Sequence, residues 1–216
     1  MTSTAGDLWN LYDGAITFRL PPGFQQLSDM LDAADTQEIF KHADENVSVI
    51  VDLCATVSTD VLVDLDGSPN DELAPLRYHL ADLTRQDRAE DGASQTEVEP
   101  AVRLSSGIGS RYSTYSATVK LTYPPSTTPV SSPARPAPGR TFITIILVRY
   151  TFPSEPARDT DIVITVSSRF SAVDAGLEAH VVGAEYDGRT ALGAKACERI
   201  VDSLTIVDEG LFAEQE

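Results

Sequence analysis

Hydrophobic positions alternate most clearly in the second half of the chain. Residues 141–152 are rich in β-branched and aromatic side chains, which suit a buried, pleated surface. In the next segment Ile162, Ile164 and Val166 alternate with polar residues, which is the period of a half-buried strand. A helical face then follows, formed by Gly193, Cys197, Ile200, Val201 and Leu204. These patterns predict a helix packed on an antiparallel sheet.

The first half of the chain gives the same mixture of strands and helices. A helical stripe is predicted for Leu73, Leu76, Leu80 and Leu83, with Pro75 near its first turn. Strands are predicted at Ala15–Leu20, Gln37–His42, Val47–Ala55, Thr96–Leu104 and Arg111–Leu121. The predicted fold class is therefore α+β, with an antiparallel β-sheet flanked by helices in an α/β/α-type sandwich.

One helical turn is predicted for Ser28–Ala34. It would place Leu27, Met30, Leu31 and Ala34 on one apolar face and Asp29, Asp32 and Asp35 together in solvent. Hard cations need six or more converging oxygens. We therefore interpret these three acids as a solvated face and not as a metal site.

The predicted organisation is one domain over residues 13–208. Residues 1–12 are expected to be a loosely held lead-in, with Trp9, Leu11 and Tyr12 docking on the body. Residues 123–139 carry six of the 13 prolines and are expected to form an exposed loop. Residues 209–216 are expected to be an acidic tail.

The charge balance limits the kinds of partner. The chain has 33 acidic residues against 16 Lys and Arg, which gives a formal charge of -17. Such a surface repels phosphate backbones and anionic lipid, so neither nucleic-acid binding nor membrane binding is expected. It favours a basic partner. The first residues lack the pattern of a secretory signal and no apolar run is long enough to span a membrane, so a cytoplasmic location is expected.

Motifs that would indicate catalysis are missing from the sequence. There is no Gly-x-Ser-x-Gly, His-Glu-x-x-His, Cys-x-x-Cys or Walker sequence. Cys54 and His42 could meet across a hairpin, but nothing in the sequence supplies a third group to orient them. Cys54 and Cys197 are interpreted as buried free thiols. We expect no catalytic residues, no cofactor and no metal.

Two short motifs connect this order of elements to a known superfamily. The opening strand ends in Phe-Arg-Leu-Pro-Pro-Gly-Phe at residues 18–24, and the last helix closes with Ile-Val-Asp-Ser-Leu at residues 200–204. With the hairpin between them, the chain resembles the PsbP-like superfamily, which includes a photosystem extrinsic subunit, a eukaryotic Ran-binding factor and small bacterial proteins and lipoproteins. The resemblance implies an antiparallel sandwich used for protein contacts, mostly without catalysis.

The leading hypothesis is a non-enzymatic, cytoplasmic protein-binding module of adaptor, chaperone-like or immunity type. Its expected contacts lie in the acidic loop 64–72 and the proline-rich loop, whose Pro133–Pro136 segment has a PxxP pattern. The candidate partner-binding residues are Asp64, Asp66, Asp71, Glu72 and Arg135. The alternative is a small-ligand-binding protein or enzyme with a pocket between sheet and helices, where Tyr112, Tyr115 and Tyr150 would supply polar groups.

Overall fold

The computed structural model describes residues 6–31, 33–57, 71–89, 92–104, 112–123, 139–151, 159–171 and 179–208. Its strands are β1 (Asp7–Leu11), β2 (Ile16–Leu20), β3 (Phe24–Gln26), β4 (Gln37–His42), β5 (Val47–Ala55), β6 (Ser94–Leu104), β7 (Tyr112–Tyr123), β8 (Gly139–Tyr150), β9 (Thr160–Ser171) and β10 (Thr205–Ile206). Its helices are α1 (Ala74–Ala89) and α2 (Ala179–Ser203). The predicted α+β class, with an antiparallel sheet flanked by helices, is confirmed.

Seven strands form the main sheet in the order β3-β4-β5-β9-β8-β7-β6. Every neighbouring pair is antiparallel, and β7, β8 and β9 pair along almost their whole length. The strands β3 and β6 are the two edges. A second, three-stranded sheet has the order β1-β2-β10, and the sequence pattern did not predict it.

Both faces of the main sheet are covered. The small sheet and α2 pack on one face, where Ile162, Ile164 and Val166 point inward. Helix α1 packs on the other face, against a cluster that includes Val163. The prediction that β9 is half-buried is therefore wrong: Asp161 and Thr165, on the face of α1, are also buried.

The residues expected to form a loosely held lead-in include a regular strand. Residues 7–11 pair with β2 from Asp7 opposite Leu20 to Leu11 opposite Ile16. Leu11 is fully buried, and the Trp9 ring meets Phe40 edge-on at 5.1 Å. Burial of these two side chains holds β1 on the body of the protein.

Helix α1 buries a slightly different stripe from the one predicted. Leu76 and Leu80 are buried as expected, but Leu83 is 39% exposed and Thr84 is buried instead. Residues 76, 80 and 84 follow one another at i, i+4 spacing, so they share one face. The Thr84 hydroxyl is satisfied by donating to the Leu80 carbonyl at 2.9 Å.

Helix α2 packs through the predicted face. Ile200 and Leu204 are buried in the core, with Cys197 and Val201 packed against it. A Cβ atom at Gly193 would stand 2.6 Å from the Ser168 hydroxyl of β9. Glycine at this point lets the helix lie close against the sheet, since a larger residue would displace the Ser168 hydroxyl.

Candidate functional site

Two large apolar side chains that follow one another in sequence are exposed at a single tight turn. The 3-10 turn Ser28–Met30 follows the edge strand β3, and it leaves Met30 79% and Leu31 57% exposed. The helical turn predicted for Ser28–Ala34 is shorter in the structure, and its apolar residues Met30 and Leu31 are not buried. The segment makes one short turn, so there is no continued helix face to bury.

Hydrogen bonds to β4 fix this turn in place. The Ser28 hydroxyl accepts from the backbone N–H of Ile39 at 2.9 Å and donates to the Glu38 carboxylate at 2.5 Å. The same carboxylate accepts from Gln26 on β3 at 2.7 Å. Ser28 thus ties the turn to β4, and Gln26 ties β3 to the same carboxylate.

The segment just before β4 is held by Tyr12. Its hydroxyl donates to the Thr36 carbonyl at 2.9 Å and lies 3.2 Å from the Val51 carbonyl. Burial, together with the nearby Glu38 and Asp52 carboxylates, raises the pKa of Tyr12 well above its usual value. The phenol therefore stays protonated and keeps its role as a hydrogen-bond donor.

Tyr12 reaches this position through an unusual backbone conformation. Tyr12, Asp13 and Gly14 have φ angles of 51°, 56° and 89°. Three successive left-handed residues, two of them not glycine, are sterically unfavourable. Such strain persists where surrounding contacts over-determine it and often marks functional regions.

We use the name turn surface for Asp29, Met30, Leu31, Asp35 and Glu38. Asp29 and Asp35 are exposed, and Glu38 is half-buried beside Ser28. An exposed apolar pair with carboxylates around it suits contact with a protein that presents basic groups. Asp32, the third acid of the predicted face, lies outside the described residues.

Two of the five predicted partner-binding residues are described, and both face arginines of the chain itself. Asp71 accepts from the N–H of Leu73 at 3.0 Å and pairs with Arg77. Glu72 pairs with Arg103 at 3.2 Å. The other candidates, Asp64, Asp66 and Arg135, lie outside the described residues, as do the loop segment 124–138 and the tail 209–216.

A buried polar cluster connects α1 to the centre of the sheet. The Asp161 carboxylate accepts two hydrogen bonds from Arg149, both at 2.8 Å, and lies 3.1 Å from Nε2 of His79. Burial alone raises the pKa of Asp161, but the hydrogen bonds from Arg149 and His79 outweigh it and hold this pKa below its usual value. The cluster holds a charge in place and leaves Asp161 with no access to solvent.

The cysteine and histidine considered for catalysis are not brought together. His42 opposes Phe24 at one end of the hairpin, whereas Cys54 opposes Asp161 toward the other end of β5. His42 adjoins Val47, which is seven residues from Cys54, so at about 3.4 Å per residue the two side chains are roughly 24 Å apart. Burial raises the pKa of the Cys54 thiol to about 11, with Asp52 and Asp161 adding to the effect. A thiol with such a pKa is a weak nucleophile near neutral pH.

A groove of about 450 Å³ lies between α1 and the strands β6 and β7. Its walls are formed by Leu76, Arg77, Leu80, Ala81, Arg88, Gln95, Glu97, Pro100, Ala101, Ala117 and Val119. The three tyrosines expected to line a pocket are not among them. Tyr115 and Tyr150 are buried in the core, and Tyr112 packs on Tyr150 at 4.9 Å.

Two further features bear on the kind of site. Among the described residues, no three His, Cys, Asp or Glu side chains are grouped so that they could hold a metal ion. No helix in the described part of the chain is long and apolar enough to cross a bilayer.

Comparison with known proteins gives a family match and several structural matches. The family model described as Ran-interacting Mog1 protein matches residues 9–169. A point mutant of protein Mog1 has a TM-score of 0.62 at 21% identity, covering 96% of this chain and 98% of that one. The Ran-binding protein Mog1p of Saccharomyces cerevisiae has a TM-score of 0.61 at 21% identity, covering 98% and 100%.

A cyanobacterial PsbP from Synechocystis has a TM-score of 0.48 at 10% identity, covering 94% of this chain and 93% of that one. No curated protein sequence matches the chain. The two Mog1 structures show the same fold over nearly the whole chain. The family model covers β2, the turn surface and the strands of the main sheet as far as Arg169, and it ends before α2 and β10. The chain belongs to the Ran-interacting Mog1 protein family.

Proposed function

We propose that this chain binds a small GTPase of the Ran type and that the turn surface is its contact region. The observation that carries the proposal is the family match over residues 9–169, because the family description names Ran as the partner. One of the matching structures is also that of a Ran-binding protein. Of the types of binding module considered from the sequence, an adaptor for a GTPase agrees best with this description.

The turn surface suits such a contact because it is exposed and already rigid. Met30 and Leu31 can bury apolar area on binding, and full burial of such a side chain contributes about 1.5–3 kcal/mol. Ser28 and Tyr12 fix the backbone on both sides of them, so little conformational entropy is lost when a partner docks. Asp29, Asp35 and Glu38 favour a partner face with basic groups.

The acidic loop remains a proposed second contact. Asp71 and Glu72 lie at the start of α1, and each is paired with an arginine of the chain. Basic groups of a partner would therefore have to compete with Arg77 and Arg103. We place the interaction in the cytoplasm, as expected from the sequence, and fluorescence imaging of the tagged protein in its native cell tests that location.

The binding experiment is a calorimetric titration of the purified chain with Ran loaded with GDP or with GTP. We expect saturable binding to at least one nucleotide state. Met30→Ala and Leu31→Ala are each expected to weaken it about tenfold or more, as truncation of a central apolar contact does. Val207→Ala, which truncates a 64% exposed side chain beside β10, is the matched control and should change the affinity less than about twofold.

Absence of binding to both nucleotide states would refute the GTPase as partner. Normal binding by the Met30 and Leu31 variants would refute the turn surface while leaving the partner in place. Raising the salt from about 0.1 M to 0.5 M should weaken binding, since exposed charge contacts are screened within roughly 8–10 Å at physiological ionic strength.

A further inference from the structure

The hairpin between β1 and β2 turns through Tyr12, Asp13 and Gly14. The backbone N–H of Ala15 donates to the Tyr12 carbonyl at 3.1 Å and closes the turn. Asp-Gly is a favoured pair at the centre of hairpin turns with positive φ. Tyr12 precedes that pair, and its φ of 51° is rare for a residue with a bulky side chain. The strain of this hairpin is therefore concentrated at Tyr12.

Packing at the tip of the turn does not account for this conformation. Asp13 is exposed, and a Cβ atom built on Gly14 would have no other part of the described chain within 4 Å, its sequence neighbours apart. Strain of this kind persists where surrounding contacts over-determine it. The contacts that remain are those of the Tyr12 side chain and those of Ala15, where the turn ends.

The Tyr12 side chain connects the hairpin to the loop that carries the turn surface. Its ring packs on the core, and its hydroxyl donates to the Thr36 carbonyl at 2.9 Å. Leu53 on β5 donates its N–H to the same carbonyl at 2.9 Å, so Thr36 is held from two sides. The N–H of this peptide group belongs to Gln37, and it donates to the Ala34 carbonyl at 2.8 Å. Tyr12 thus helps to fix the peptide group where the loop enters β4.

That peptide group closes one end of a short loop whose other end is Ser28. Ala33 donates its N–H to the Ser28 carbonyl at 3.2 Å, and the Ser28 hydroxyl is bonded to β4. Met30 and Leu31 lie between these two points in the chain. Because both ends are held, less conformational entropy is lost when a partner binds the exposed pair.

The other contact of the strained turn is with the C-terminal strand. The Ala15 carbonyl accepts from the N–H of Val207 at 2.7 Å and from the N–H of Asp208 at 3.2 Å. These bonds continue the ladder between β2 and β10, in which Ile16 opposes Ile206. When β10 is paired, the end of the turn is therefore fixed.

We propose that Tyr12 is a positioning residue for the turn surface and that β10 controls it. With β10 paired to β2, the turn delivers the Tyr12 hydroxyl to Thr36. When β10 leaves β2, Ala15 is released, Tyr12 relaxes from its left-handed conformation, and residues 33–37 open more often. A partner or a modification that draws residues 205–208 away from the small sheet therefore weakens binding at the turn surface.

The effect on binding rests on the proposed GTPase contact, whereas the effect on the loop is measurable in the chain alone. Amide hydrogen exchange of the full chain, followed by NMR, makes that measurement. Tyr12→Phe keeps the ring and removes the hydroxyl, so the Gln37 amide should exchange about fivefold faster, which is the factor that one hydrogen bond contributes. The Ala93 amide, which donates to the Asp87 carbonyl after α1, should change less than about twofold.

A matched pair of substitutions at one position tests the role of β10. Val207→Pro removes the N–H that bonds Ala15, and proline is otherwise tolerated in edge strands such as β10. The Gln37 amide should then exchange about fivefold faster. Val207→Ala keeps the backbone N–H, so exchange at Gln37 should stay within about twofold of the wild type.

Combining the two changes separates a connection through Tyr12 from general destabilisation. If β10 acts through the Tyr12 hydroxyl, Val207→Pro has little further effect once that hydroxyl is absent. The double variant should therefore exchange at Gln37 within about twofold of Tyr12→Phe alone. Independent effects would multiply to about 25-fold and would overturn the proposal.

Calorimetric titration with the Ran-type GTPase measures the consequence for binding. Tyr12→Phe and Val207→Pro are each expected to raise the Kd about threefold to tenfold, because the loop must be ordered on binding. Unchanged exchange at Gln37 in both variants would refute the connection. So would an unchanged Kd in both variants when the wild type binds. Faster exchange at Gln37 in a chain whose wild type does not bind the GTPase would support the connection and refute only the partner.

Discussion

At the scale of single residues, the most consequential side chain is the Asp161 carboxylate. It is fully buried, yet it keeps its charge because Arg149 and His79 both bond it. Removing one member of such a buried pair leaves the other charge without compensation, which costs about 3–5 kcal/mol. The cluster therefore stabilises the contact between α1 and the sheet.

We expect Asp161→Asn to lower the free energy of unfolding at pH 7 by about 3 kcal/mol. Because the folded pKa lies below the unfolded one, the stabilisation is complete above the unfolded value of about 3.9 and is lost as the pH falls through the folded pKa. Urea unfolding at pH 7 and at pH 3 measures both effects.

Wild-type protein should thus lose more stability between these two pH values than the Asp161→Asn variant. The exposed Asp202→Asn variant should behave like the wild type at both. An equal acid-induced loss of stability in the wild type and the Asp161 variant would contradict this account of the cluster.

At the scale of elements, the packing of β1 against the body of the protein can be tested directly. Leu11 of β1 is fully buried, whereas Leu8 of the same strand is 51% exposed. Leu11→Ala should reduce the free energy of unfolding by about 2–5 kcal/mol through lost burial and a residual cavity. Leu8→Ala should change it by less than about 0.5 kcal/mol.

Chemical denaturation at pH 7 provides both values for this pair of leucines. If Leu11→Ala were as harmless as Leu8→Ala, residues 7–11 would be the loosely held lead-in that the sequence suggested.

The elements that could be predicted are those whose own residues show the hydrophobic pattern of a strand or a helix. Strands β4, β5, β8 and β9 are predicted within about two residues because β-branched residues recur along them. The short strands β1 and β10 were not predicted. Each of them is defined by its pairing with β2, and β10 is only two residues long, so their own residues carry too little hydrophobic pattern to indicate a strand.

The turn surface was missed for a similar reason. Met30 and Leu31 are apolar at helical spacing, which normally indicates burial. Their exposure follows from the bond between Ser28 and β4 and from the edge position of β3, both of which are tertiary facts. In α1, Thr84 is buried where Leu83 was predicted to be. This depends on how the helix is rotated on the sheet, which the leucine pattern alone does not specify.

At the scale of the whole molecule, the family match supports a binding role and not a catalytic one. The Mog1 family is described by an interaction with a protein partner, which confirms the prediction of a non-enzymatic protein-binding module. The sheet order places the turn surface beside β3 and β4, at one edge of the seven-stranded sheet.

The pairing of β2 with β10 affects how the chain folds during its synthesis. The backbone N–H of Arg19 bonds the Ser203 hydroxyl at 2.8 Å, across 184 residues of sequence, and Ile16 opposes Ile206. A ribosome makes about 5–20 residues per second, so β2 waits roughly 10–40 seconds for its last neighbour. Until residues 205 and 206 have been made, the edge of β2 that they cover has no partner strand, so it is exposed to non-native contacts during synthesis.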